Sequence, residues 1–349
     1  MNNWTELFVP GRLCLFGEHS DWAGGHRRQN SELEKGYALV CPTNHGTYAR
    51  IRKIDDKKLI MKSTLSDRIF EVDMQRSLLD KVAKDSNNLF NYVAGVAYYI
   101  LERYDNNHVS GIEIDNYNTD LPPKKGLSSS ASICVLTARA FNKLYDLKLT
   151  KEGEMDLAYK GEVLTPSRCG RMDQACAFDS LVLMSFDGDF MKSEELKIGN
   201  DFHLIVADLN MGKNTLKILN DLNMHFFDSS SQKEVRNYLG NINKQIIFSA
   251  KDALECGDAK EVGKLMNFAQ KQFDRHLMKY CDELIAPKLH EVLKYRKISD
   301  LVYGGKGVGS QGDGCAQFVC KGIEERKRAT SILEKELGVK CYDLDLKKN

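Results

Sequence analysis

The chain is predicted to be an α+β protein of two domains, and three observations predict it. Its 349 residues exceed the ~250–300 at which a single core stops growing. Short alternating runs fill much of the first 73 residues, which is strand patterning. From Leu78 onward, three-and-four periodicity covers long stretches with strand-like runs between them, which is mixed α and β content.

Phe8 to Phe16 form an apolar stretch interrupted by Pro-Gly-Arg. The turn-rich GEHSDWAGGH that follows presents Glu18, His19 and Asp21 at a strand end, where sites tend to lie. Tyr37 to Arg52 is strand-like on both sides of a break expected at Pro42 to Gly46, and residues 58–73 hold further strands. One helical pattern covers Leu78 to Tyr104, with Leu89, Tyr92, Val93, Val96, Ala97, Ile100 and Leu101 on its apolar face. Gly111 to Ile114 is a brief strand. Ile133, Val135, Leu136 and Ala138 mark a helix, and Thr150 to Leu164 an amphipathic one. LVLMSFDG and FHLIVADL, within 181–209, are strands. Residues 214–241 read as helix plus loop, and 243–297 as helical with Met266, Phe268, Phe273 and Leu277 in the core. Val302 and Ala316 to Val319 are expected to pair as strands across a glycine-rich loop at 304–314, under a terminal helix and before a short apolar-polar tail. The domain boundary is placed after residue 195, giving domains 1–195 and 196–349.

An apolar fraction of 42% with 28% charged residues is ordinary for a soluble globular chain. Fifty Lys and Arg against 49 Asp and Glu leave a formal charge of +1, so no whole-protein field draws the chain to nucleic acid or membrane. The ten cysteines contain no C-x-x-C pair and read as small buried side chains in a reducing cytosol. No basic-then-apolar leader opens the sequence, and no run reaches the ~18 apolar residues that span a bilayer. A cytoplasmic protein with no nucleic-acid or membrane partner is expected; the sequence assigns no oligomeric state.

Leu121 to Arg139, LPPKKGLSSSASICVLTAR, is where chemistry first shows. Prolines stop any preceding element, Gly126 permits tight backbone geometry, and Ser128, Ser129 and Ser130 open a helix. Unpaired N–H groups at such a start favour an anion, and serine hydroxyls can ligate a Mg²⁺ that travels with nucleotide phosphates. On its own the stretch fits a serine-capped helix equally well, and it is not a Walker A loop. Asp173, in CGRMDQA, sits between a loop glycine and an apolar run. Arg12 and Arg168 are candidates for neutralising charge around a transferring phosphate, and Glu162, late in its helix, for a second oxygen ligand to Mg²⁺. Taken singly, each is more often a surface or capping group.

Taken as an ordered set, PGRLCLFGEHSDWAGG, PPKKGLSSSAS, CGRMDQ and GGKGVGSQGDGC resemble the successive motifs of the GHMP small-molecule kinases. The GEHSD segment and the MDQ triplet look most like the galactokinase-type sugar kinases, where GEHTDY is usual. The resemblance implies an N-terminal ribosomal-protein-S5-like domain and a C-terminal ferredoxin-like domain. It implies an ATP-binding loop of Gly126, Leu127, Ser128, Ser129, Ser130 and Ala131, with Ser129 or Ser130 touching Mg²⁺ and Glu162 completing its coordination. Asp173 would lie near the accepting hydroxyl, and Arg12 would stabilise charge and keep Asp173 ionised. Glu18, His19 and Asp21 would hold the sugar's hydroxyls, and Gly304, Gly305, Gly307 and Gly309 would form a loop closing over the active site.

The implied activity is ATP- and Mg²⁺-dependent phosphorylation of a monosaccharide hydroxyl, the anomeric 1-OH first. The alternatives are a kinase of this superfamily acting on a uronic acid, a polyol or mevalonate, or a non-catalytic sugar and ATP sensor. Two departures from the family pattern bear on the choice. Trp22 stands where a tyrosine is usual, and HRRQNSELEK is inserted after Gly25. His26, Arg27 and Arg28 would there read a negatively charged substrate group such as a uronate carboxylate, or simply form a solvated loop. Asp313, negative among the last glycines, is expected to point away from phosphates or to meet a cation.

Overall fold

The computed structural model describes residues 4–64, 66–104, 108–121, 126–167 and 169–349. In order the chain forms β1 (Thr5–Phe16), α1 (Ser20–Gly25), β2 (Gly36–Ile54), β3 (Lys58–Ser63), β4 (Ser66–Asp73), α2 (Arg76–Ala83), α3 (Asn91–Arg103), β5 (Gly111–Thr119), α4 (Ser129–Tyr145) and α5 (Lys151–Leu164). It continues through β6 (Val182–Asp187), β7 (Phe190–Glu195), β8 (Phe202–Asp208), α6 (Thr215–Phe227), α7 (Gln232–Asn237), α8 (Asn243–Cys256) and α9 (Ala259–Leu277). The last elements are α10 (Pro287–Leu293), β9 (Val302–Gly307), β10 (Cys315–Cys320), α11 (Ile323–Leu337) and β11 (Lys340–Leu346). The α+β class agrees with the sequence. Contacts gather the chain into two compact units, Met1–Arg12 with Pro42–Asp179, and Leu13–Cys41 with Ser180–Asn349. The boundary expected after residue 195 falls inside the second unit, at the end of β7.

In the first unit β3 lies between β4, antiparallel, and β5, parallel, and β5 pairs antiparallel with Thr47–Ile54 of β2. The break expected at Pro42–Gly46 is absent, because β2 is continuous. Its Gly36–Val40 pairs with β6 and its Thr47–Ile54 with β5, so Pro42 lies where its missing N–H costs no bond to either. The single helix expected over 78–104 is two, α2 and α3. Between them the Asp85 and Asn88 side chains accept from the backbone N–H groups of Asn87 and Phe90, both at 3.0 Å. These local bonds replace helical ones. Leu89 lies in that turn and is exposed rather than on an apolar face.

Two glycines set how closely α3 and α5 approach. A Cβ on Gly95 would lie 2.2 Å from the Gly161 carbonyl oxygen, and one on Gly161 would lie 2.6 Å from the Val96 backbone. That contact fixes the register of α5 and with it the position of Glu162.

In the second unit β6 also pairs antiparallel with β7, a strand the sequence reading missed. A separate antiparallel sheet has the order β11-β8-β10-β9. Ile205, Phe318, Leu289 and Leu333 share the core that α10 and α11 close over it. Ile218, Leu222, Phe226, Tyr238, Phe273 and Leu277 form a second cluster among the helices. The pairing expected across the glycine segment is present as β9 with β10. Three expectations need correction here. The tail is strand β11, Phe268 is exposed while Met266, Phe273 and Leu277 are buried, and the glycine-rich loop is half strand. Gly304, Gly305 and Gly307 belong to β9, where a Cβ on Gly304 would meet the Gly263 carbonyl of α9 at 2.0 Å. Those glycines let sheet and helix touch. Among the described residues no helix is long and apolar enough to cross a membrane.

Gly95→Ala is expected to lower stability by about 1–3 kcal/mol through overpacking. Gly212→Ala, whose Cβ would meet nothing within 4 Å, should stay within about 0.5 kcal/mol; urea unfolding of both variants checks the contrast.

Candidate active site

In the first unit the site is built from the middle of β1 outward. A Cβ on Gly11 would lie 2.4 Å from the Leu121 side chain and 2.7 Å from the Leu127 carbonyl oxygen. Glycine is therefore what lets the strand lie against the loop before α4, where the Arg12 N–H donates to that carbonyl at 3.2 Å. The Arg12 side chain reaches further along the same loop. Its Nη1 donates to the Gly126 carbonyl at 3.1 Å, and its Nη2 pairs with Asp173 Oδ1. Gly126 and Ser128 both have positive φ, +77° and +57°, and for a serine that backbone is strained. The twist turns the Ser128 hydroxyl to donate to Asp173 Oδ1 at 2.7 Å. The Gly170 N–H donates to Oδ2 at 3.0 Å. Asp173 opens a short 3₁₀ turn, Asp173–Ala177, and three donors from three chain segments hold its carboxylate.

Ser128 occupies the N-cap position of α4 without capping it. The first helical bond runs from the Ser132 N–H to the Ser128 carbonyl at 3.0 Å. The N–H groups of Ser129, Ser130 and Ala131 come before it and stand where a helix start receives an anion. Ser132 is buried, its hydroxyl bonded to the Val9 carbonyl and Thr47 Oγ1 at 3.0 and 2.9 Å, and this pins the helix start to β1.

Glu162 is 1% exposed. Gln174 Nε2 donates to its Oε2 at 2.8 Å, and Ser130 and Cys169 also bond to it. Burial, then repulsion from Asp173, pushes its pKa up to about 7. No cation pairs with it among the described residues. A desolvated carboxyl beside a serine hydroxyl, lacking a counter-charge, is a hard-oxygen donor set that fits Mg²⁺. Arg168 and the Pro122–Lys125 segment lie outside the described residues.

In the second unit Glu18 and Lys306 form an ion pair whose side chains are 6% and 2% exposed, and Lys306 Nζ also donates to the Gly307 carbonyl at 2.9 Å. His19 is buried in the left-handed region at the start of α1. Trp22 Nε1 donates to its Nδ1 at 3.1 Å, which assigns the proton to Nε2. That Nε2 meets no partner in hydrogen-bond geometry among the described residues. Burial lowers the His19 pKa to about 4, against the pull of the Ser310 backbone and with help from the Lys213 and Lys306 charges. Asp21 lies in the first turn of α1, partly buried.

The inserted basic run is engaged within the protein. His26 Nε2 meets Asn223 Oδ1 at 2.9 Å, Arg27 Nε meets Asp187 Oδ1 at 2.5 Å, and Arg28 Nη1 lies 3.4 Å from Asp189 Oδ1. This removes the ground for a carboxylate-reading role at these three residues. The Asp313 Oδ1 accepts from the Leu289 N–H at 2.8 Å and caps α10. Gly309 has a positive φ of 66° in the turn after β9, where a Cβ would meet only Lys213 Nζ at 3.9 Å. Sequence reasoning groups Arg12, the serines, Glu162 and Asp173, of which Arg12 and Ser128 bond to Asp173 and Ser130 to Glu162. It missed Lys306, which lay in view within GGKG, and the tautomer-setting Trp22, three residues after His19.

Residues 91–180, which carry the serines, Glu162 and Asp173, match the family model for the N-terminal domain of GHMP kinases. A galactokinase of Enterococcus faecalis is 36% identical over 157 residues, 42% of this chain and 36% of that protein. The galactokinase of Streptococcus thermophilus is 26% identical over 351 residues, 89% of this chain and 84% of that one. For the first relatives matched, the chain spans only 33–40% of their length. Galactokinase of Lactococcus lactis, complexed with galactose, has the same fold, with a TM-score of 0.73 at 20% identity over 100% of this chain and 95% of that one. The chain is thus similar to GHMP kinases, in sequence over residues 91–180 and in fold over its whole length. The sequence likeness that extends over most of the chain is to galactokinases.

Because folding depresses the His19 pKa below the ~6.5 of an unfolded histidine, its contribution is intact above pH 6.5 and is lost as pH falls toward 4. The expected loss between pH 7 and pH 5 is about 2 kcal/mol. Urea unfolding at both pH values should show that drop shrinking by a similar amount in His19→Gln.

Proposed function

We propose that the chain is an ATP- and Mg²⁺-dependent kinase that phosphorylates a hydroxyl of a monosaccharide or close relative, the anomeric 1-OH first. The observation that carries the reading is the Asp173 carboxylate, held by Arg12, Ser128 and the Gly170 N–H beside the uncapped start of α4. Phosphoryl transfer asks a protein chiefly to align the attacking oxygen and to neutralise charge on the transferring group. Asp173 accepts the proton of the sugar hydroxyl, and its three donors fix the direction of its lone pairs. Arg12 pairs with the carboxylate and ties it to the phosphate loop through the Gly126 carbonyl. The N–H groups of Ser129, Ser130 and Ala131 bind the phosphates, with Gly126 and Leu127 shaping the approach. Ser130, or Ser129, and Glu162 would hold Mg²⁺, which would supply charge neutralisation to the phosphates. Glu18, His19 and Asp21 bind the substrate's polar groups, a role supported by the Nε2–H of His19, which meets no partner in hydrogen-bond geometry among the described residues.

The intact serine loop and Asp173 favour catalysis over a non-catalytic sensor. Glycines at 304, 305, 307 and 309 serve packing and turn geometry, so the proposal gives them no direct contact with phosphate. A cytoplasmic location accords with ten free cysteines.

In a coupled assay over a sugar panel with ATP and Mg²⁺, Asp173→Asn should reduce kcat on the best substrate by about 10²–10⁴-fold. Full turnover in that variant would remove Asp173 from the mechanism. Glu162→Gln should raise the Mg²⁺ concentration for half-maximal rate by on the order of tenfold, read from metal titrations at saturating sugar.

A further inference from the structure

Resting on the kinase reading above, we propose that Lys306, together with the Nε2–H of His19, selects an acceptor that carries a carboxylate, a sugar acid rather than a neutral sugar. The ammonium of Lys306 has three donors. One goes to Glu18 and one to the Gly307 carbonyl at 2.9 Å. The third meets no acceptor among the described residues, its remaining neighbour being the Phe16 ring at 6.0 Å. His19, 5% exposed, adds a second buried donor that meets no acceptor in hydrogen-bond geometry among the described residues, although the Ser310 backbone pulls on the ring.

Two unspent donors match the two acceptor-only oxygens of a carboxylate. A neutral hydroxyl offers one oxygen and brings a proton of its own that must find an acceptor. A phosphate brings three oxygens and a second negative charge, which two donors do not meet. The local field has the matching sign. Glu18 balances Lys306, while Lys213, whose Nζ holds the Gln311 and Val308 carbonyls at 2.9 and 3.4 Å, adds a second ammonium felt at His19. Each buried donor left unmet by the wrong substrate weakens its binding about tenfold. The anion-reading role once assigned to the insertion thus moves to the strand that carries GGKG.

The test titrates the full chain calorimetrically, without ATP, with D-galacturonate, D-glucuronate, D-galactose and D-glucose, and runs the same four with ATP and Mg²⁺. Each acid differs from its neutral partner only at C6. Wild type is expected to bind, and to turn over by kcat/KM, at least one uronate about tenfold or more better than its partner. Glu18→Gln/Lys306→Met removes both charges together, so no lone charge is left buried, and should reduce that preference about tenfold. His19→Phe should reduce it as well, and serves if the double variant does not fold. Absent uronate binding, a neutral-sugar preference, or a ratio unmoved by either variant overturns the proposal. Galactose phosphorylated while uronates neither bind nor react leaves the kinase reading standing without it. Uronates bound with the expected preference, but no ADP released with any of the four, leaves the carboxylate site standing and removes the kinase reading.

Discussion

The contact on which the first unit's site depends is the hold of Arg12 and Ser128 on a single carboxylate oxygen of Asp173. It joins the middle of β1, the start of α4 and the turn after α5. To make it, Ser128 adopts a left-handed backbone and gives up the capping bond that a serine ordinarily makes. An N-cap contributes about 1 kcal/mol, and a non-glycine left-handed residue costs about 1–3 kcal/mol. Stability is thus surrendered where the proposed catalytic constellation needs a fixed direction. The surrounding structure over-determines the arrangement through the Gly11 approach, the buried Ser132 bonds and the Gly95–Gly161 contact, which each hold one of the three segments in place.

Much of this was legible in the sequence, for identifiable reasons. The helix after the serines and the helix bearing Glu162 carry their own start signals and periodicity, and the motif order brought distant residues together before any coordinate did. What escaped the reading depends on partners that periodicity cannot see. Pro42 sits in a continuous strand because the strand changes neighbours there. Gly304, Gly305 and Gly307 look like a loop, yet they form a strand because a helix crosses it at backbone distance. The turn at Leu89 was hidden inside a helical pattern, its cause being side-chain bonds from Asp85 and Asn88. A lysine among glycines gave no hint that it would be fully buried, since only the Glu18 carboxylate opposite makes that tolerable.

The inserted segment 26–36 illustrates how charge on a sequence misleads. Read in isolation, three potentially cationic side chains look like an anion receptor. In the fold they act as a clasp: Asp187 takes both Arg27 and Lys35, and Glu34 meets Lys244 at the start of α8. Between α7 and α8 the helix widens into a π-helical turn, Tyr238–Ile242. Gly240 lies in that turn, where its Cβ would come 2.9 Å from Glu34 Cβ. The widened turn and the missing side chain leave space for the insertion to seat. Trp22, His26 and Phe226 pack ring on ring there, so the clasp also steadies the helix next to His19.

The interleaving of the two units has a consequence for biosynthesis. The first unit is complete once Asp179 has left the ribosome, whereas the stretch Leu13–Cys41 belongs with chain translated after it. At about 5–20 residues per second, the remainder takes roughly ten to thirty seconds to emerge. During that interval the apolar Leu13–Phe16 and the residues around His19 wait on the nascent chain for the later part of their unit, a window in which a chaperone would have reason to attend to them.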